Sequence, residues 1–270
     1  LKYWAREYHI DGFRFDLVGM FYKPTMEAVA RELRAIRPDI TIYGEPWTGG
    51  GPTHFGQGVQ RGMGIGVFND HIRDAVRGDL DGTRRGFAFG AGGADRVRKG
   101  VEGAINDFAT DPGESVAYVE AHDNRTFWDK IVATAPEFSD EMKRSIQKLA
   151  QGIVLTSQGI VFLHGGGDFC RTKNGNHNSY NAGDEINKFD WTRKATYRDV
   201  FDYTRGLIAL RRAHPAFRLS RGEDVRRALS FAVTPNDRVV AFTLDGAAVG
   251  DAWKSIYVAY NGDPRENVVA

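Results

Sequence analysis

The residues best suited to chemistry in this sequence are carboxylates placed at the ends of short apolar segments. Asp16 closes residues 10–16 (IDGFRFD), Glu45 follows 40–44 (ITIYG) and Asp70 follows 65–68 (IGVF). His122 and Asp123 follow 116–120 (VAYVE), and Asp168 follows 160–164 (IVFLH). Arg14 stands two residues before Asp16. Residues i and i+2 of a strand share a face, so the guanidinium is expected beside the Asp16 carboxylate, holding it ionised as a nucleophile requires. Glu45 is followed by Pro46 and Trp47. An aromatic neighbour lowers local polarity and raises a carboxyl pKa toward that of a general acid. Two carboxyls about 5–5.5 Å apart carry out glycoside hydrolysis with retention, and adjacent strands lie about 4.8 Å apart. On this reading Asp16 attacks the anomeric carbon, while Glu45 protonates the leaving oxygen and then activates water. One acidic residue alone says little, because most Asp and Glu are solvated surface charges. Several of them at strand ends on one rim carry the argument.

Other chemistries lack their signatures. GxxxxGK[ST], HExxH and GxSxG are absent, and Gly62-x-Gly64-x-Gly66 has neither the spacing of a dinucleotide fingerprint nor a following helix. His164 and His177 have no metal-ligand spacing, and the single Cys170 excludes an intrachain disulfide and a cysteine-based zinc cluster. Cys170 is expected to be a core thiol. Asp79, Asp81 and Gly82 hint at a calcium loop, but only two carboxylates lie there and the EF-hand pattern is missing.

The elements that must position the carboxylates follow from the hydrophobic pattern. Residues 1–8 read as the last turns of a helix. Met26, Val29, Ala30, Leu33 and Ile36 recur at helical spacing between Pro24 and Pro38. Ser139 suits the cap of a helix with Met142, Ile146, Leu149, Ala150 and Ile153 inward, and a long helix is expected near 198–212. Arg205, Arg211, Arg212 and Arg218 are expected to serve a helix end and solvent. Strands alternating with helices predict parallel βαβ units, and acidic residues at nearly every strand end favour a (β/α)8 barrel over an open doubly wound sheet. After Pro215, strands at 229–234, 239–244 and 256–260 have no long helix between them, the pattern of a separate antiparallel unit. The boundary is placed near 216–224.

Composition narrows the class of partner. The 270 residues carry 36 Lys+Arg against 35 Asp+Glu, a net charge of +1. That balance argues against nucleic acid and a membrane surface. Aromatic residues make up 12% and there are 32 glycines, which lean toward tight loops and a flat ligand such as a sugar face. The sequence begins at Leu1 with no charged-then-apolar leader and breaks off soon after a strand, so a fragment is expected and compartment stays unknown.

Residues 11–16 (DGFRFD), 43–47 (YGEPW) and 119–124 (VEAHDN) resemble, in order, three conserved regions of the α-amylase superfamily of glycoside hydrolases. Residues 171–181 (RTKNGNHNSYN), continuing to Asp184, Asn187, Asp190 and Trp191, resemble the loop after the eighth strand of type I pullulanases. Residues 67–70 and 213–218 support the likeness. The resemblance implies a partial (β/α)8 TIM barrel, strands four to eight, in residues 1–218, and the start of a C-terminal antiparallel β-sandwich in 219–270. It implies Asp16 as nucleophile, Glu45 as acid/base and Asp123 as the third carboxylate, holding ring hydroxyls. Arg14 would orient the nucleophile, His122 would bind a hydroxyl, and Trp47 would stack on the leaving-group side. Asn178, Tyr180 and Asp184 would contact the other side.

The implied substrate is a branched α-glucan cut at α-1,6 linkages: pullulan, starch limit dextrin or glycogen. No cofactor is required, calcium stays open, and neither nucleic acid nor membrane is a partner. The family's third-strand Asn-His pair and its YNWGYDP-type stretch would lie before Leu1. With three strands missing the barrel cannot close, so the isolated chain is expected to be unstable and inactive. Two rivals stand beside this reading. An isoamylase-type debranching enzyme or other α-glucan hydrolase would be told apart by its substrate preference. A non-catalytic carbohydrate-binding protein would bind pullulan without turnover.

Overall fold

The computed structural model describes residues 1–267 and 269. Its first part alternates helices with parallel strands: α1 (Lys2–Glu7), β1 (Gly12–Phe15), α2 (Lys23–Arg34), β2 (Thr41–Gly44), β3 (Gly66–Phe68), α3 (Asp70–Arg77), α4 (Ala94–Val101), β4 (Ser115–Ala117), α5 (Phe127–Thr134), α6 (Asp140–Thr156) and β5 (Ile160–Val161). Short helices α7 (Asp184–Asn187) and α8 (Arg193–Thr196) precede the long α9 (Arg198–Ala213). Then come α10 (Gly222–Ala228) and strands β6 (Leu229–Phe231), β7 (Val239–Asp245) and β8 (Ser255–Asn261). Strands β1 to β5 pair in sequence order, all parallel, as a curled half-barrel, and β6-β7-β8 form an antiparallel sheet.

The expected elements are present; β1 to β6 are shorter than expected, whereas β7 and β8 run slightly longer. The segment at 116–120 is strand only over Ser115–Ala117, and that at 160–164 only over Ile160–Val161. The polar residues that follow leave the ladder early and enter the rim loops. Helix α2 starts with Pro24 in its first turn and buries Met26, Ala30 and Leu33 against Ile42, Phe55 and Val67. Ser139 caps α6 by accepting from Met142 N. The inward face of α6 is Ile146, Ala150, Ile153 and Val154, whereas Met142 is 40% exposed and Leu149 is half-buried. The expected stripe therefore holds from the second turn onward. Gln147 and Gln151 are also buried on it, and both donate to Gly167 O in the turn after β5.

One large apolar cluster runs from Ile72, Val97, Phe127 and Ile153 to Val240, Phe242 and Ile256, so both sheets share a core. Polar contacts join them too. Asp237 accepts from the Gly93 and Ala94 N–H groups at the start of α4, and Asp251 pairs with His214 at 2.8 Å. Inside the curl, Phe68, Val116 and Tyr118 form a small layer with Tyr43, Trp47, Ile160 and Phe162 beneath the site.

Arg211 differs from expectation. It is buried and donates to Leu155 O, Ser157 O, Gly159 O and Phe217 O, gathering the end of α6 and the turn into β5. The α6 terminus leaves carbonyls without helical partners, and this guanidinium satisfies them away from water. Replacing Arg211 with Met leaves four carbonyls without that donor. The expected cost is about 3 kcal/mol or more, read as a lowered urea midpoint of the full-length protein.

Candidate active site

Strand β1, which carries Arg14, and the loops that leave β1, β2 and β4 bring Arg14, Asp16, Glu45, His122 and Asp123 to one end of the half-barrel. In the β1–β2 register Arg14 lies opposite Tyr43 and Phe15 opposite Gly44. Asp16 and Glu45 therefore leave their strands side by side. One oxygen of Asp16, one of Glu45 and a ring nitrogen of His122 all lie within 4.8 Å of one another. Glu45 is almost fully buried, while the Asp16 and Asp123 carboxylates are well exposed.

Arg14 binds differently from the expectation of a simple Arg14–Asp16 pair. Its Nη2 lies 2.5 Å from Glu45 Oε1, 3.4 Å from Asp16 Oδ1 and 3.4 Å from His122 Nδ1. Its guanidinium also sits over the Phe68 ring, 5.4 Å from the centroid. The closest contact is thus to Glu45, because Glu45 points inward from β2 whereas Asp16 faces solvent. Three donors could geometrically surround a cation here, yet positive charge among the carboxylates is already supplied by Arg14.

The Glu45 carboxyl is pushed up to about 7. Burial is the main cause, followed by the close approach of the Asp16 carboxylate and its charge. Arg14 and the Leu17 N–H pull the other way. Leu17 has φ +47, a left-handed conformation costly for a branched side chain. This turn aims its N–H at Glu45 Oε2, 3.4 Å away. The next contact needs a glycine: Gly19 N donates to Glu45 O, and a Cβ on Gly19 would meet Trp47 O at 2.5 Å.

His122 Nε2 lies 3.7 Å from Asp16 Oδ1 and 3.5 Å from Asp123 Oδ1, so the imidazole stands between the two exposed carboxylates. The backbone around it is held by buried cations. Arg77 donates to Val119 O and Arg125 O, and Lys173 Nζ donates to His122 O at 2.9 Å. Lys173 itself belongs to the 171–181 loop. Its N–H and the Thr172 hydroxyl bind Asp129 in the first turn of α5. These braces escaped the sequence reading, since a lone Lys or Arg on a helix or loop ordinarily signals solvent. A cleft of about 290 Å³ opens beside Glu45, lined also by Trp47, Asp70, Arg73, Tyr118 and Asp123. Asp16 does not line it, so the cleft lies on the Glu45 side.

Asn178, Tyr180 and Asp184 are not drawn into this constellation. Among the described residues their side chains make no hydrogen bond to Asp16, Glu45, His122 or Asp123. Tyr180 is 79% exposed, and Asp184 opens the short helix α7 on the surface. Cys170 is fully buried and burial pushes its thiol well up, as expected of a core residue.

Comparison with known proteins adds an independent observation. The family described as "Pullulanase, all-beta domain" matches residues 225–270. A pullulanase of Bacillus subtilis (strain 168) is 40% identical, over 97% of this chain and 38% of its own length. The structure of the pullulanase from Bacillus acidopullulyticus superposes with TM-score 0.94 at 47% identity, covering 97% of this chain and 33% of that one. The pullulanase from Paenibacillus barengoltzii, in a complex with maltohexaose and alpha-cyclodextrin, superposes with TM-score 0.92 at 48% identity, over 97% and 43%. The chain spans less than half the length of each of these relatives.

The Glu45 environment gives a direct test. Carbon-13 titration of glutamate carboxyls in the full-length protein is expected to show one group titrating near pH 7, absent from Glu45→Gln. Because Arg14 lowers this pKa, Arg14→Met should move the same group upward.

Proposed function

Over the length it spans this chain belongs to the pullulanases of the α-amylase superfamily, and from that premise we propose that its parent protein hydrolyses α-1,6-glucosidic branch linkages with retention. The substrates are pullulan, starch limit dextrins or glycogen. The observation that carries the reading is the Asp16–Glu45 pair: oxygens within 4.8 Å, Arg14 in contact with both, and only Glu45 buried. This spacing suits the double-displacement route, in which no water stands between carboxylate and sugar in the first step.

Asp16 Oδ attacks the anomeric carbon as the bond to the leaving O6 breaks, and Glu45 gives its proton to that oxygen. The product is a glycosyl ester on Asp16 and a free glucan arm. Glu45, now ionised, takes a proton from water. The water oxygen bonds to the anomeric carbon, the ester C–O bond breaks, and Asp16 is released as carboxylate. A Glu45 carboxyl near 7 keeps a proton available at neutral pH and readily accepts it back. Asp123 and His122 hold ring hydroxyls of the reacting sugar. The cleft beside Glu45 receives the leaving arm, with Trp47 as its stacking face; its volume is close to the lower end, about 300 Å³, of ordinary ligand pockets. Asn178, Tyr180 and Asp184 would reach the glucan on the far side from their exposed loop.

The five parallel strands correspond on this reading to strands four to eight of a (β/α)8 barrel in residues 1–218, with 219–270 beginning a C-terminal β-sandwich. Among the described residues β1 pairs only with β2 and β5 only with β4. Each therefore presents an unpaired edge, a template for aggregation. The 270-residue chain alone is accordingly inactive.

Reducing-sugar release from pullulan by the full-length parent tests the assignment. Turnover to maltotriose is expected, with Asp16→Asn and Glu45→Gln each lowering kcat by more than about a thousandfold. A parent that leaves pullulan intact but cuts amylose would overturn the linkage specificity. The isolated 270 residues are expected to precipitate or show no turnover; a soluble, cooperatively melting, active preparation would contradict the open-edge argument.

A further inference from the structure

Lys130 sits in the second turn of α5 and has no exposed surface. Its ammonium is not stranded there. Nζ donates to Asp79 Oδ1 at 2.5 Å, Gly82 O at 2.9 Å and Arg84 O at 3.0 Å, so all three protons have acceptors. Asp79 Oδ1 also accepts from Arg84 N, closing the loop on itself. A Cβ on Gly82 would meet the Asp79 carboxylate at 2.0 Å, so the loop closes this tightly only with glycine there. The Asp79-Leu80-Asp81-Gly82 run looks like the start of a calcium loop. In the structure the centre of that loop is filled by a lysine ammonium.

The other carboxylate of the run, Asp81, faces the opposite way. Its Oδ2 accepts from Asn124 Nδ2 at 2.7 Å, its Oδ1 from Arg125 N at 3.2 Å, and its carbonyl from Arg125 Nη1 at 2.6 Å. Asn124 has φ +63, the reversal that directly follows Asp123. The loop is thus clamped by Lys130 on one side and clasps the Asn124–Arg125 backbone on the other.

We propose that Lys130 is a positioning residue for Asp123, a built-in cation that orders the 79–84 loop so that Asp81 fixes the turn carrying the third carboxylate. The chain of contacts is continuous: Lys130 to Asp79, Gly82 and Arg84, then Asp81 to Asn124 and Arg125. Asp123 needs this support because its side chain is well exposed and, among the described residues, its one close charged approach is His122 at 3.5 Å. Its direction is set by its backbone. The kinetic part of the inference rests on the proposed glycosidase reading; the structural part does not.

A double-mutant cycle on pullulan hydrolysis by the full-length protein tests it. Lys130→Met is expected to lower kcat roughly 10- to 100-fold, the scale of a misplaced catalytic group. In the Asp123→Asn background the same change should lower kcat less than about twofold, because the group it positions is already lost. Lys130→Arg should retain part of the activity. Equal losses in the two backgrounds would show a merely structural lysine and overturn the proposal, as would an unchanged kcat in Lys130→Met. Should Lys130→Met fail to fold, Asp81→Ala removes the side-chain acceptors of Arg125 N and Asn124 Nδ2 at a partly exposed position and should give the same cycle. Hydrogen exchange of the segment containing Arg125 supplies a readout without turnover: it should accelerate in Lys130→Met. Accelerated exchange in a parent that cuts neither pullulan nor amylose would sink the glycosidase reading while leaving Lys130 as the brace of this turn. Unchanged exchange would overturn the brace itself.

Discussion

Two carboxyl groups held within 4.8 Å at the edge of an apolar layer repel each other unless a cation intervenes or one of them keeps its proton, and this site uses both. Arg14 projects from β1 with its guanidinium over Phe68 and touches Glu45, Asp16 and His122 at once. Burial, reinforced by the neighbouring Asp16 carboxylate, keeps a proton on Glu45 to about pH 7. The division of labour follows from depth alone. On the proposed reading the inward carboxyl serves as the acid, and the exposed one is left to attack. Neighbouring parallel strands in one register produce that difference in depth, since the residue after Phe15 turns to the rim whereas the residue after Gly44 turns inward.

The strands behind the site are only two to four residues long, so their ladders satisfy few of the backbone groups around them. Carbonyls in the connecting loops need other donors. The structure supplies them from buried cations. Arg77 takes Val119, Leu80 and Arg125; Lys173 takes His122; Lys130 takes Gly82 and Arg84; Arg211 takes four carbonyls around the α6–β5 turn. A multi-donor side chain joins segments far apart in sequence that no ladder joins. Irregular backbone at the carboxyl end of the sheet is what lets side chains converge there, and these contacts make it rigid enough to serve.

The carboxylates were legible in the sequence because apolar alternation ending in an acid has few structural explanations when it recurs. The strands, α2 and the Ser139 cap of α6 were legible for the same reason: period and punctuation are local signals. Other features depend on three-dimensional context. Nothing local distinguishes Lys130 from the other lysines on helices. Its burial depends on a loop about fifty residues away. The same holds for Arg211, expected in solvent and found under four carbonyls, and for Arg14, whose nearest partner lies on the neighbouring strand rather than two residues along its own. Met142 was assigned inward by period alone, but the first turn of α6 overhangs the core. Asn178, Tyr180 and Asp184 were named from the resemblance, and their loop leaves them exposed.

The central claim is that Asp16 forms a covalent bond to the sugar while Glu45 moves the proton. Trapping that bond tests it most directly. A fluorinated maltosyl fluoride lets the first displacement expel fluoride and slows the second, because fluorine destabilises the positive charge that develops on the ring. Incubated with the full-length protein and digested, it should leave one fluorinated maltosyl group on the peptide containing Asp16, and none in the Asp16→Asn variant. A label on another residue, or no label together with an inverted product, would contradict the account.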